Sequence, residues 1–226
     1  MIIIITIIKV DSLQSSFSGA EKLVLCTSAV PKIKFFSIVK VLFFKIFGKL
    51  LSFFGIKTQA RPEFYFLKNG DPYNVDWLGA KNQIDAAVKA GIKHFIFVSS
   101  MGGTQPENFL NTIGKIPGDD KSGNILLWKR KAEEYLIKSG LQYTIVHPGG
   151  LTDKEGGKQE VVIGVDDELL KEKTRQIPRD DVATLCIEAM KQSKAINRSI
   201  DVISREGTPT KDWSSFFSSN SNNCKY

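Results

Sequence analysis

The sharpest hydrophobic run in the chain lies within GIKHFIFVSSMGG, Gly91 to Gly103. His94 to Ser99 are mostly branched or aromatic, and small residues follow, which is the pattern of a strand buried on both faces of a parallel sheet. Upstream, NQIDAAVKA from Asn82 spaces Ile84, Ala87 and Val88 on one helical face, and Gly91 stands where such a helix ends. Residues 125–139, ILLWKRKAEEYLIKS, predict a second helix with Ile125, Trp128, Ala132, Tyr135 and Leu136 on one face and Gly140 at its end. Tyr143 to Val146 predicts the next buried strand, closed by His147, Pro148, Gly149 and Gly150. Asp180 or Asp181 is placed to cap a helix through Met190, and Ser199 to Ile203 reads as a last strand. Near the start, IIIITII (2–8) reads as a strand, followed by the polar stretch DSLQSSFSG and a strand from Leu23 to Thr27. Residues 59–79 and 104–124 are punctuated by Pro and Gly and predict two long loops. Strand and helix alternate, so the expected class is α/β: three layers around a largely parallel sheet. In such sheets ligands sit beyond the carboxyl ends of strands, which is where Ser99, Ser100, Met101, Gly102 and Gly103 fall. The plainer reading, a core strand and its turn, fits the same residues.

Residues 33–56, IKFFSIVKVLFFKIFGKLLSFFGI, are a different material. At a helical period Lys34, Ser37, Lys45, Gly48, Lys49 and Ser52 gather on one side, and most of the phenylalanines with Ile46 and Leu50 gather on the other. Lys40 is the exception. Interior lysines argue against a spanning helix. A basic, Phe-rich helix could lie in a membrane interface, but the first reading is an inserted, poorly packed segment without function.

Composition sharpens this picture in two places. The formal charge is +7 over 226 residues, but Lys32, Lys34, Lys40, Lys45, Lys49 and Lys57 share one acid-free segment, and without them it falls to +1. Basicity this local does not make a nucleic-acid surface. Cys26, Cys186 and Cys224 are far apart, with no CxxC and only two histidines. That pattern suggests a reducing compartment, with neither a disulfide framework nor a structural zinc site. The expected organisation is one domain over 1–217, with 33–57 as a basic insertion and 218–226 (SSNSNNCKY) as a disordered tail.

Four segments together carry a family resemblance: LVLCTSAVPK (23–32), VDWLGAKNQIDAAVKAGIKHFIFVSSMGGT (75–104), GNILLWKRKAEEYLIKSGLQYTIVHPGGLTDKEGG (123–157) and IPRDDVATLCIEAM (177–190). They resemble the plant NAD(P)-binding proteins of the atypical short-chain dehydrogenase/reductase superfamily, close to NmrA-like folds. The resemblance implies a Rossmann fold, NADP(H) or NAD(H) as cofactor and a small-molecule substrate. It places Thr27, Ser28, Ala29 and Val30 behind the adenosine and its ribose. It puts Ser99 and Ser100 at the strand end that orients substrate, Ser100 being the nearer match. Lys131 corresponds to the lysine holding the nicotinamide ribose, and His147, Pro148, Gly149, Gly150 and Leu151 to the loop over the nicotinamide. Alternatives stand beside these roles. Lys131 also reads as a solvated helix lysine, the Pro-Gly-Gly loop as a simple strand end, and His147 as either a phosphate contact or a strand cap.

Two departures qualify the resemblance. The family opens with a strand and a G-x-x-G-x-x-G turn whose backbone N–H groups hold the pyrophosphate, and no glycines here have that spacing. The implied chain is one lacking that part, with 2–8 filling or padding the vacated lane beside Leu23–Thr27 and with weak or lost cofactor binding. Second, none of the five tyrosines has a lysine four residues later, so the usual Tyr-Lys proton donor is absent. Two functions follow: an NAD(P)-binding oxidoreductase of the atypical type, or a non-catalytic module of the same fold, associated with a membrane surface through 33–56.

Overall fold

The computed structural model describes residues 10–53, 61–219 and 222–226. The strand expected over 2–8, and its proposed lane, lie outside them. The polar stretch expected only to connect is a helix, α1 (Val10–Phe17), because Leu13 and Phe17, one turn apart, are buried together with Ala86. β1 (Lys22–Leu25) follows, then the two-residue strand β2 (Lys32–Ile33), then the long helix α2 (Phe35–Phe53). The stretch expected as a loop from 59 to 79 contains β3 (Phe64–Tyr65), antiparallel to β2, and a π-helical segment, Tyr73–Gly79. That segment runs directly into α3 (Ala80–Ala90), which ends at Gly91 in the left-handed conformation (φ 71°), as its spacing predicts.

β4 (His94–Val98) is the central strand. Phe95 and Phe97 point to one side, against Ile84, Ala87 and Leu136; Ile96 points to the other, toward Leu185, Ile200 and Phe217. This two-sided burial is why the strand is apolar without alternation. The loop from 104 to 124 carries one short 3₁₀ turn, Phe109–Thr112, and is tied to α4 (Ile125–Lys138) by Asn111, whose Oδ1 accepts from Leu126 N at 3.0 Å. β5 (Gln142–Pro148) is longer than the sequence predicts, so His147 and Pro148 belong to the strand and not to its closing loop.

Three short strands that periodicity did not reveal come next: β6 (Gly150–Thr152), β7 (Glu160–Gly164) and β8 (Gln176–Pro178). α5 (Arg179–Ala189) has Asp180 and Asp181 in its first turn, not at its cap. Asp181 instead accepts from Gly157 N at 2.6 Å, holding a neighbouring loop. β9 (Arg198–Arg205) and α6 (Trp213–Ser219) complete the order.

The main sheet runs β1-β4-β5-β9-β8-β6, with β7 also on β9. β1, β4, β5 and β9 are mutually parallel, in register Leu25 with Phe97, Val98 with Val146, and Pro148 with Val202. α3 and α4 cover one face; α5 and α6 cover the other. The result is the expected three-layer α/β fold with a mostly parallel sheet. Because neighbouring parallel strands end together, the tips at 27–30, 99–103 and 147–151 line one rim.

Composition suggested a disordered tail, yet residues 222–226 lie against β9. Cys224 N donates to Ser199 O at 3.0 Å, Tyr226 Oη and Ser199 Oγ stand 2.6 Å apart, and Arg198 Nε donates to Asn223 Oδ1 at 3.0 Å. Specific partners outweigh a polar composition here. Deleting Asn222 to Tyr226 is expected to cost at least about 3 kcal/mol, because at roughly 1 kcal/mol each it removes these hydrogen bonds and others to Asn197, Arg198, Ser199 and Asp166, together with the burial of Cys224. A urea midpoint unchanged by the deletion would contradict that docking.

Candidate functional site

The rim is organised from below by charges that the helices turn inward. On α4 the buried positions are Leu126, Lys129, Ala132, Glu133 and Leu136, whereas Ile125, Trp128 and Tyr135 of the predicted face are only half-buried. Two charged residues one turn apart therefore face the interior. Each has a partner, as a buried charge requires.

Lys129 Nζ lies 2.8 Å from Asp76 Oδ1, with both side chains almost fully buried. Asp76 comes from the π-helical segment, and its other oxygen accepts from Ala29 N at 3.1 Å. One carboxylate thus ties α4 to the loop after β1. Insertion of an extra residue in a helix commonly marks such sites, because it turns a side chain that a regular helix would aim elsewhere. Lys131 sits on the exposed side of α4, its Nζ 4.6 Å from the Trp77 ring centroid and 5.5 Å from that of Trp128.

Glu133 anchors a second network under the tips of β4 and β5. Ser99 Oγ donates to Glu133 Oε1, and His147 Nε2 is 3.1 Å from Glu133 Oε2. His147 Nδ1 is 3.0 Å from Asp201 Oδ1 on β9. Arg130 Nη1 lies 3.3 Å from Glu133 Oε2. Burial alone would lower the His147 pKa, but the Glu133 charge and hydrogen bonds to Asp201, Cys224 and Glu133 outweigh it and hold the ring well above 6.5. Burial likewise raises Glu133, and the His147 charge and hydrogen bond, then Arg130, overcome it, leaving the carboxyl at about 2. The imidazolium is thus clamped between two carboxylates. His147, Asp201 and Cys224 place their ligand-type atoms within 4.8 Å of one another, yet both ring nitrogens already face carboxylates.

The network continues to the rim. Asp167 N donates to Asp201 Oδ2 at 2.7 Å, and the Asp167 carboxylate accepts from Gly102 N (2.6 Å), Thr104 N (2.8 Å) and Thr104 Oγ1 (2.6 Å). Gly102 has φ 100° and leaves no room for a Cβ, which would meet Asn108 Nδ2 at 2.6 Å.

The residues singled out from sequence divide accordingly. Thr27, Ser28, Val30, Ser100, Gly149, Gly150 and Leu151 are exposed or half-exposed at the rim. Among the described residues Ser100 Oγ donates to Met101 O alone, at 3.0 Å. Ala29, Ser99, His147 and Pro148 are buried beneath, and the polar groups of Ala29 N, Ser99 and His147 are taken up by protein carboxylates. Lys131 stands apart from them. Asp76, Lys129, Glu133 and Asp201 escaped the sequence reading; the one available signal was the i, i+4 pair Lys129 and Glu133 in phase with Leu126, Ala132 and Leu136.

A groove of about 620 Å³ runs between the β3 segment and the 114–123 loop, with Tyr65, Phe66 and Tyr73 among its walls and Lys115 and Lys121 lining it too. Tyr73 packs edge-on to Trp128, 5.0 Å between centroids, so the groove adjoins the helix that carries Lys129.

A family profile described as NAD(P)H-binding matches residues 7–193. The chain belongs to this NAD(P)H-binding family. It is 43% identical over 209 residues to a chloroplastic protein of Arabidopsis thaliana, At2g37660, covering 91% of this chain and 57% of that one. It is 39% identical over 219 residues to sanguinarine reductase of Eschscholzia californica, covering 92% of this chain and 74% of the relative. The oxidoreductase ylbE of Lactococcus lactis superposes with a TM-score of 0.58 at 20% identity, over 92% of this chain and 72% of that one, which shows a shared Rossmann-type fold. No helix among the described residues is long and apolar enough to cross a membrane.

For a nicotinamide dinucleotide the fit is uneven. The rim offers the hydroxyl groups of Thr27, Ser28 and Ser100 near a buried lysine, which suits a ribose, whereas Gly149 N and Gly150 N already donate to Val202 O at 2.9 Å and Arg175 O at 2.8 Å. No glycine-rich turn of the pyrophosphate-gripping kind occurs in the 226 residues.

Proposed function

We propose that this chain is an NAD(P)H-dependent oxidoreductase acting on a small, partly apolar substrate, with a weaker grip on its cofactor than a glycine-rich turn would give. The observation that carries the reading is the buried Lys129–Asp76 pair fixed beneath the rim where three parallel strands end. Its cation would favour the hydroxyl-rich, phosphate-linked ribose above it, and Asp76 keeps it in place through the Ala29 loop. Bound NAD(P)H would supply hydride there. Ser100 would orient the substrate oxygen, and the 149–151 backbone would close over the ring. Lys129 takes the role that the family resemblance had given to Lys131, because Lys131 is occupied with two indoles at the surface. The aromatic groove is the proposed substrate berth; its volume lies in the range of small-molecule sites. The reductase class agrees with what the name of the Eschscholzia relative states, and the chloroplastic relative supports a plastid location.

A titration followed by thermal melting tests this. At ten times its Kd, NADPH stabilises by about 1.4 kcal/mol, which raises Tm by about 3 °C in a protein of this size. Millimolar NADPH or NADH should produce that shift, and Lys129→Met should abolish it. The absence of buried glycine-turn donors and the engaged state of Ser99 and His147 favour one competing reading, a non-catalytic module of the same fold. No shift at millimolar cofactor would establish it instead.

A further inference from the structure

α2 is built inside out. Among its described side chains the buried one is Ser37, whose Oγ accepts from Glu63 N at 2.9 Å and donates to Lys34 O at 2.6 Å, with Val41 and Phe44 half-buried beside it. The opposite side is apolar and open to solvent: Phe35, Val39, Leu42, Phe43, Ile46 and Phe53 are all exposed, Phe35 by 70% and Phe53 by 85%. At 100° per residue these six fall within an arc of about 100°. A surface helix of a globular protein turns such an arc to the core. This one turns it away.

Charge identifies what would cover it. No acidic residue occurs from Lys22 to Pro62, and Lys32, Lys40 and Lys45 are exposed, Lys40 and Lys45 on either flank of the apolar arc. Long lysine stems beside an apolar stripe can keep their ammonium groups at phosphate level while the stripe enters hydrocarbon. A nucleic acid would leave the aromatic arc bare, and an ordinary protein groove would not call for cations on both flanks. The helix is about 28 Å long, enough to lie in an interface plane.

We infer that α2 docks this protein onto the surface of an anionic lipid bilayer, apolar arc inserted and Lys32, Lys40 and Lys45 against the headgroups. Because α2 starts just past the Val30 loop tip, docking would bring the rim close to the lipid. The inference is independent of whether the rim holds a dinucleotide.

Co-sedimentation of the full chain with phosphatidylcholine vesicles, with and without phosphatidylglycerol, tests it. Binding is expected to vesicles containing phosphatidylglycerol and to weaken with salt. Each basic residue at an anionic leaflet contributes about fivefold, so K32Q/K40Q/K45Q should weaken partition on the order of 100-fold. V39S/I46S should weaken it while leaving the melting temperature unchanged, since both side chains are exposed. Wild-type protein that stays in the supernatant with both vesicles would overturn the inference. So would lysine variants that bind like wild type. Concentration-dependent self-association abolished by V39S/I46S, without vesicle binding, would assign the arc to a second copy of the chain instead.

Discussion

Lys129→Met is expected to destabilise the protein by about 3–5 kcal/mol, because it leaves the Asp76 carboxylate buried without its cation. Losing one partner of a buried pair costs more than the pair contributes, so Lys129→Met with Asp76→Leu should recover much of the loss. Lys131→Ala, two residues away, removes only exposed cation–π contacts with Trp77 and Trp128, each about 0.5–1 kcal/mol. The order of the three variants is the informative quantity. Urea unfolding in which Lys131→Ala costs as much as Lys129→Met would remove Lys129 from its interior role. Cofactor affinity should fall with Lys129 even where the double variant restores stability, since a leucine cannot orient a cation that is no longer there.

The layered fold was legible because its signals are local. Phe95, Ile96 and Phe97 declare a strand covered on both faces, and Gly91 (φ 71°) and Gly140 (φ 83°) mark the two helix ends that their spacing predicts. The family resemblance added the Rossmann topology that local pattern alone leaves open. What stayed hidden was long-range pairing. Lys129 and Glu133 look like solvent-facing charges until Asp76 and His147 are set beside them, 53 and 14 positions away in the chain. The short strands β6, β7 and β8 escaped for the same reason: three to five residues carry no period, and their pairing with β9 or with each other defines them. α1 was hidden by five polar residues around Leu13 and Phe17, whose spacing gains meaning only against α3. The site therefore emerged half-read: its rim followed from strand ends, and its electrostatic floor did not.

That floor gives the second large effect, a stability profile with two limbs set by one network. Glu133 falls from 4.5 unfolded to about 2 folded, so its contribution is present above about pH 4.5 and lost as pH drops toward 2. At 1.36 kcal/mol per pKa unit this limb amounts to about 3 kcal/mol. His147 is raised well above 6.5, so its contribution is complete below about pH 6.5 and is lost as pH climbs through the folded value. The two describe one ion pair seen from its two ends and do not add. His147→Gln should therefore cost about 3–5 kcal/mol at pH 6, leaving Asp201 and Glu133 buried without the imidazolium, Glu133 with Arg130 still 3.3 Å away, and should erase the alkaline limb. Because Asp201 also holds Asp167, and Asp167 holds the 102–104 backbone, amide exchange at Gly102 and Thr104 should quicken in the same variant. An alkaline limb that survives His147→Gln would mean that another group titrates there, and the clamp between the two carboxylates would lose its claim to shape the rim.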